Sequence, residues 1–310
     1  MNKDSKIYIA GHSGMVGSAV VRKLREESFS NLILKTRKQL DLTNQQLVKS
    51  FYKEHQPEYV FICAAKVGGI HANNTYRADF LYENIQIQNN LIHYAYKYGV
   101  KKLLFLGSSC IYPRDCRQPI KEEYLLTGLL EETNEPYAVA KIAGIKMCES
   151  YNKQYGSNFI SIMPTNLYGL NDNYDLMTGH VFAAFIRKFH EAKIFDKAEV
   201  VCWGTGEPLR EFLFSSDLAS ALVFLMQNYS GEKIINVGSN FEITIYELAK
   251  MVKDVIGFTG RISWDASKPN GTRRKLMDSS RLFAMGWRPK IELKQGIALA
   301  YADFLERFPS

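Results

Sequence analysis

Long apolar runs are missing from this chain of 310 residues. None reaches the roughly 20 residues that span a bilayer, which excludes a helical membrane protein. Paired cysteines are missing too. The five cysteines have neither CxxC spacing nor a disulfide-framework pattern, and none clusters with histidine as a zinc site would. No secretory leader is expected, because MNKDSKIYIAGHSG runs straight into a strand-like segment. Reduced thiols in a cytoplasm are therefore the expectation. Long basic tracts are also lacking. The net charge is +7, but the charges are scattered and the clusters short (Lys35 to Lys38, Arg273 to Lys275). That disfavours nucleic acid and suits a protein that handles phosphates on small molecules.

With 46% hydrophobic residues the chain can bury a large core, in more than one compact unit. Strand-like runs recur at 6–11, 32–36, 59–65, 102–109 and 159–167, apolar on both faces. Amphipathic stretches at 15–28, 43–55, 76–98 and 136–155 separate them. The alternation predicts an α/β protein with a Rossmann-type doubly wound parallel sheet over residues 1–167. After residue 167 the rhythm breaks into shorter mixed elements. Residues 168–310 are expected to form mainly a smaller mixed α/β substrate domain, with parts of 211–240 packing back on the first.

The first strand ends in GHSGMVG, placing Gly11, Gly14 and Gly17 at a strand-to-helix turn. Such a turn lets a pyrophosphate approach the backbone at a helix N-terminus, so Gly11 to Gly17, with His12, Ser13, Met15 and Val16 between them, are candidate cofactor contacts. An acid is missing where an NAD enzyme ordinarily holds the ribose 2′-hydroxyl. Lys35, Thr36, Arg37 and Lys38 stand there instead, with no carboxylate before Asp41. Basic side chains favour a 2′-phosphate, so NADP(H) is the expected cofactor, with Arg37 as a contact. Asp41, followed by Leu42, is a candidate for capping the next helix or for contacting adenine.

Tyr137 and Lys141 lie four apart at a helix start and so share a face. A lysine ammonium beside a phenol favours phenolate, making Tyr137 a proton donor to a nascent alkoxide. Ser108 or Ser109, in GSSCIYP at the end of a strand, would hydrogen-bond the carbonyl oxygen. The reading of Cys110 from its neighbours alone stays open, because a cysteine at a strand end is ordinarily a small buried hydrophobe. His180 alone reads equally as a helix-start histidine bonded to backbone.

The order of glycine turn, serine pair and YxxxK resembles the extended short-chain dehydrogenase/reductase superfamily over essentially the whole chain. GHSGMVGSA, AAKVGGIHANN, FLGSSCIYP, EPYAVAKIAG, PTNLYG, WGTGEPLREFL, DASKPNGT and RKLMD together resemble the GDP-L-fucose synthase family, the GDP-4-keto-6-deoxymannose 3,5-epimerase/4-reductases. The resemblance implies reduction by Ser108, Tyr137 and Lys141 and epimerisation by Cys110 and His180. It also implies cofactor contacts at Leu42, Leu106, Gly107 and His180, and at the loop Pro164, Thr165, Asn166 and Leu167. Substrate contacts would come from Lys188, Trp203, Arg210 and Asp278, although Arg187 competes with Lys188 for the ligand face. A homodimer through a four-helix bundle of the helices at 76–98 and 136–155 is implied as well.

The chemistry gives the cysteine a reason. A 4-keto group acidifies C3 and C5, and inversion there needs a base on one face of the ring and an acid on the other. Cysteine and histidine both titrate within reach of neutrality, and one oxyanion site serves both enolate and alkoxide. Two departures from the family pattern stand out: DLMTG before His180, and Asn270 where an acid is expected. They leave room for a reductase acting on a related GDP-4-keto sugar such as a heptose, with epimerisation done elsewhere. A cofactor-sensing scaffold would be expected to lack Tyr137 or Lys141, and an epimerase that retains NAD is disfavoured by the Arg37 region.

Overall fold

The computed structural model describes residues 1–268 and 270–309. Pro269 of the DASKPNGT stretch lies outside the described residues. The first half builds β1 (Ile7–Ala10), α1 (Met15–Glu26), β2 (Leu32–Ile33), α2 (Gln45–His55), β3 (Tyr59–Ile62), α3 (Ile70–Thr75), α4 (Arg77–Lys97), β4 (Lys102–Leu106), α5 (Glu135–Tyr155) and β5 (Phe159–Pro164). Then follow β6 (Asn166–Tyr168), α6 (Val181–Ile194), β7 (Glu199–Trp203), β8 (Leu209–Phe214), α7 (Ser215–Asn228) and β9 (Ile235–Val237). The last are β10 (Glu242–Thr244), α8 (Ile245–Ile256), β11 (Arg261–Asp265), β12 (Arg274–Lys275), α9 (Ser280–Ala284) and α10 (Leu293–Arg307).

The main sheet is parallel, six-stranded and ordered β2-β1-β3-β4-β5-β9. Its strands are buried on both faces, as their continuous apolar runs require. One face packs on α1 and α7 through Val20, Leu24, Leu218 and Leu222; the other packs on α2, α4 and α5 through Val48, Leu91 and Ile145. Residues 215–228 thus return to the sheet as α7, and 235–237 supply its sixth strand. Within 211–226 the first residues behave differently: β8 joins β6, β10 and β12 in a second sheet. A third apolar cluster, with Phe182, Phe189, Leu248 and Phe304, holds α6, α8 and α10 together.

Three expected elements come out differently. The strand over 159–167 is two, β5 in the main sheet and β6 against β8, with Thr165 between them. The strand over 32–36 stops at Ile33, because β2 is an edge strand paired only with β1. Beyond it the chain turns, with Thr36 N donating to Gln39 Oε1 at 2.9 Å. The helix over 76–98 is preceded by a separate short helix, α3, which begins after Gly69 and is broken from α4 at Tyr76.

Candidate functional site

The order of strands reverses between β1 and β3, and the crevice outside their C-terminal ends is where open α/β sheets bind ligands. The glycine turn sits there. Gly11 has φ +82°, and a Cβ on it would lie 2.7 Å from Ala64 N. A Cβ on Gly17 would lie 2.0 Å from Gly11 O, so only glycine lets α1 start this close to the strand. Gly14 caps α1 without a side-chain hydrogen bond, and the first turn holds no acid. Its amide groups therefore face outward as an anion cradle. His12 Nδ1 is buried here without a partner among the described residues. The turn fits a dinucleotide: close backbone approach, open N–H groups and an unpaired buried ring nitrogen.

At the end of β2, Arg37 is 78% exposed and lies 3.6 Å from Glu83. Asp41 is held locally. Its Oδ1 accepts from Thr43 N and Thr43 Oγ1, and these bonds keep the carboxyl below its usual pKa. The cap of α2 is instead Asn44, which accepts from Gln46 N and Leu47 N. Leu42 contributes its carbonyl to Asn90 Nδ2 at 2.8 Å.

The catalytic candidates meet where β4 ends. Gly107 N donates to Ile162 O at 2.8 Å, so Leu106 and Gly107 continue along β5. Ser109 is buried, while Ser108 is half-buried and accepts from Cys110 N at 3.2 Å. Burial, then the nearby Cys110, push the Tyr137 pKa up, and the neighbouring Ser108 hydroxyl opposes them only in part. Lys141 lies one turn along α5. Its Nζ donates to Leu106 O at 2.8 Å and stands 5.7 Å from the Tyr137 ring centroid, not at the phenol oxygen. Burial lowers its pKa to about 8, offset slightly by Cys63. Burial rather than Lys141 therefore governs the phenol here, and Tyr137 is neutral, the form that donates a proton.

The loop after β5 is tied down as well. Thr165 N donates to Val237 O at 2.9 Å and Asn166 Nδ2 to Glu211 O at 2.8 Å, which fixes Pro164 to Leu167 beside the sheet end.

His180 is the N-cap residue of α6 and keeps solvent access. Surrounding protein atoms still desolvate its ring, and this, then the Lys275 ammonium, hold its pKa below the ordinary histidine value. The DLMTG turn before it is built around Asp175, whose Oδ1 accepts from Met177 N, Thr178 N and Thr178 Oγ1. Gly69 N donates to Thr178 O at 2.8 Å, docking this turn on the KVGG loop.

In the second lobe, Lys188 Nζ stands 5.5 Å from the Trp203 ring centroid and donates to Val201 O. Arg187 is tied to Glu191 at 2.7 Å and to Tyr174 O. Arg210 Nη2 donates to Asn270 O at 3.4 Å. Asp278 follows β12 by three residues. Its Oδ1 accepts from Ser280 N at the start of α9 and its N–H bonds Ile120 O, placing it beside Glu122. The residue that does reach Arg210 is Asn270, whose Oδ1 also accepts from Thr205 N at 2.9 Å. Lys275 was not among the candidates, yet its Nζ lies 3.6 Å from Cys110 Sγ. The sequence names RKLMD as a unit but gives no sign of which side chain crosses to the cysteine.

A doubly wound sheet with a glycine cradle at its switch point and a Ser–Tyr–Lys set at a neighbouring strand end defines a class, the dinucleotide-dependent short-chain dehydrogenases and reductases. A profile of the NAD dependent epimerase/dehydratase family matches residues 7–238, and the chain belongs to that family. It is 59% identical to GDP-L-fucose synthase 1 of Arabidopsis thaliana over 98% of this chain and 94% of that one. It is 49% identical to the GDP-L-fucose synthase of Escherichia coli K12, covering 97% of each. Among solved structures, a GDP-mannoheptose C4 reductase from Campylobacter jejuni with NADP bound superposes with a TM-score of 0.91 at 45% identity, over 98% of this chain and 99% of that one.

Proposed function

We propose that this protein is an NADPH-dependent enzyme that converts GDP-4-keto-6-deoxy-D-mannose to GDP-L-fucose by 3,5-epimerisation and 4-keto reduction. The observation that carries the reading is near-full-length identity of 49% and 59% to relatives named GDP-L-fucose synthase. The local arrangement supports it: Ser108 accepts from the Cys110 backbone N–H and neighbours the Tyr137 phenol, so one oxyanion site can serve two half-reactions.

The cofactor is held by the Gly11–Gly17 turn, by Arg37 at the 2′-phosphate and by Pro164–Leu167 at the nicotinamide side. NADPH bound there supplies the hydride to sugar C4. Ser108 and Tyr137 hold the substrate's 4-oxygen, and Tyr137 delivers a proton to it as the alkoxide forms. Lys141 orients the ribose side of the site and restores the Tyr137 proton from solvent. Cys110 removes the proton on C3 or C5, and His180 returns one to the opposite face. Lys188 and Arg210 neutralise the diphosphate, and Trp203, 47% exposed, offers a face to base or sugar. Asp278 accepts a sugar hydroxyl or a guanine donor, and Asn270, bonded to Arg210, joins the group.

The test is to incubate protein, NADPH and GDP-4-keto-6-deoxy-D-mannose and identify the product. GDP-L-fucose with stoichiometric NADPH oxidation is expected; no oxidation removes the reading. The likeness to a GDP-mannoheptose C4 reductase favours a second reading, reduction alone on a GDP-4-keto heptose. Solvent deuterium entering C3 and C5 without NADPH separates the two, since a reductase alone incorporates none.

We infer further that the chain works as a cytoplasmic homodimer joined through α4 and α5. No described helix is long and apolar enough to cross a membrane, and the described cysteines are all free thiols.

A further inference from the structure

We propose that Lys275 is the positioning residue for Cys110 in the epimerisation half-reaction, its ammonium holding the sulfur in place and balancing the negative charge the sulfur carries as base. The inference rests on the epimerase reading above. The observation behind it is the 3.6 Å approach of Lys275 Nζ to Cys110 Sγ, across 165 residues of sequence.

The backbone around Lys275 is fixed on every side. β12 pairs in parallel with β8, setting Lys275 opposite Arg210. Arg274, pointing the other way along the strand, is locked to Glu242 by two bonds of 2.8 and 2.6 Å. Leu276 N donates to Gln118 Oε1 at 2.9 Å, and Met277 N to the fully buried Glu211 at 3.0 Å. A lysine on so constrained a strand has little backbone freedom left. Among the described residues Lys275 also has no carboxylate partner, so its charge is not spent on an ion pair. Its field reaches His180 and Cys116 as well. Arg210 is electrostatically coupled to Cys110 and stands on the neighbouring strand. The sulfur is therefore faced by two cations, and Lys275 is in direct contact with it.

The step balances without a further reagent. The Cys110 thiolate takes the proton from C3 or C5, and the C–H electron pair moves through the carbonyl to leave an enolate on O4. Ser108 and Tyr137 hold that oxygen. The His180 imidazolium then gives a proton to the opposite face, reforming the C–H bond with inverted configuration. Lys275 keeps its protons throughout. Its field also disfavours the imidazolium, so it acts in opposite senses on the base and on the acid.

The experiment compares wild type with Lys275→Met and Lys275→Arg. Three rates are measured: deuterium entry at C3 and C5 without NADPH, NADPH oxidation with a pre-epimerised 4-keto sugar, and iodoacetamide alkylation of Cys110 followed by peptide mass spectrometry. K275M is expected to slow deuterium entry and alkylation together, by roughly tenfold or more, the effect of removing an opposite charge at about 4 Å. Reduction falls far less, and K275R recovers most of both losses. Unchanged Cys110 alkylation in a K275M protein with wild-type melting overturns the proposal. So does an equal loss of exchange and reduction with weakened GDP binding, which makes Lys275 a substrate ligand. If K275M does not fold, K275R and its alkylation rate decide. Wild type that incorporates no deuterium removes the epimerase reading, while the alkylation comparison still tests the Lys275–Cys110 contact.

Discussion

At the scale of single residues, the phenol of Tyr137 is the sharpest case. Burial keeps it protonated, and the Ser108 hydroxyl lies beside it. Tyr137→Phe removes the proton donor while leaving the ring in place. NADPH oxidation with a pre-epimerised substrate is expected to fall by roughly 10²- to 10⁴-fold, the usual worth of a positioned general acid. A fall of less than tenfold assigns the proton to another group. Asp172 gives a second, unrelated test. It is 5% exposed, and burial raises its pKa from 3.8 to about 7. Between those values the folded protein binds the proton and the unfolded chain does not. Stability therefore declines as pH rises through that window, and the cost is fully present above about pH 7. Asp172→Asn is expected to flatten this dependence, gaining a few kcal/mol relative to wild type on going from pH 4 to pH 8. Urea unfolding at both pH values checks it; parallel losses in the two proteins sink the assignment. The core chemistry was legible at this scale because GSSC and YxxxK are local patterns. Asn270 and Lys275 were not, since each earns its place through a contact with a distant segment, Thr205 and Cys110.

At the scale of elements, the parallel strands were legible because burial on both faces leaves continuous apolar runs. Their ends were not. LILKT reads as one strand, but only its first two residues have a neighbour to bond, and an edge strand stops where its partner stops. The break between α3 and α4 was equally invisible, since both sides are helix-compatible. The DLMTG turn looked like a departure from the family pattern, and the structure gives it an internal logic. Asp175 satisfies two backbone amides and the Thr178 hydroxyl, and the turn then presents His180 at the start of α6. Asp175→Ala removes all three bonds from an exposed loop. Melting is expected to change little, while deuterium exchange at C3 and C5 falls at least tenfold, as displacement of a reacting group by about 1 Å produces. Reduction of a pre-epimerised substrate should fall less. Equal effects on both rates count against a separate role for His180.

At the scale of the whole molecule, the outer face of α4 and α5 is the surface on which the proposed dimer rests. These helices have 21 residues each and pack side by side. At 1.5 Å per residue and about 10 Å per helix, their outer face measures about 30 by 20 Å, near the lower range for one side of a stable interface. Tyr82 and Val139 are 63% and 43% exposed on it, and Ala143, one turn from Val139, adds a small exposed residue suited to close helix approach. The inner face of α5 carries Tyr137 and Lys141, so a partner seated on the outer face would stiffen the helix that holds both. Sedimentation at micromolar concentration is expected to give twice the chain mass of 35.4 kDa. Replacing Val139 and Ala143 together by Arg sets like charges against each other across a two-fold axis, and should yield monomers with unchanged far-UV circular dichroism. A wild-type chain that sediments at 35.4 kDa throughout that range overturns the bundle, and the exposed apolar face of α4 and α5 then needs a different partner.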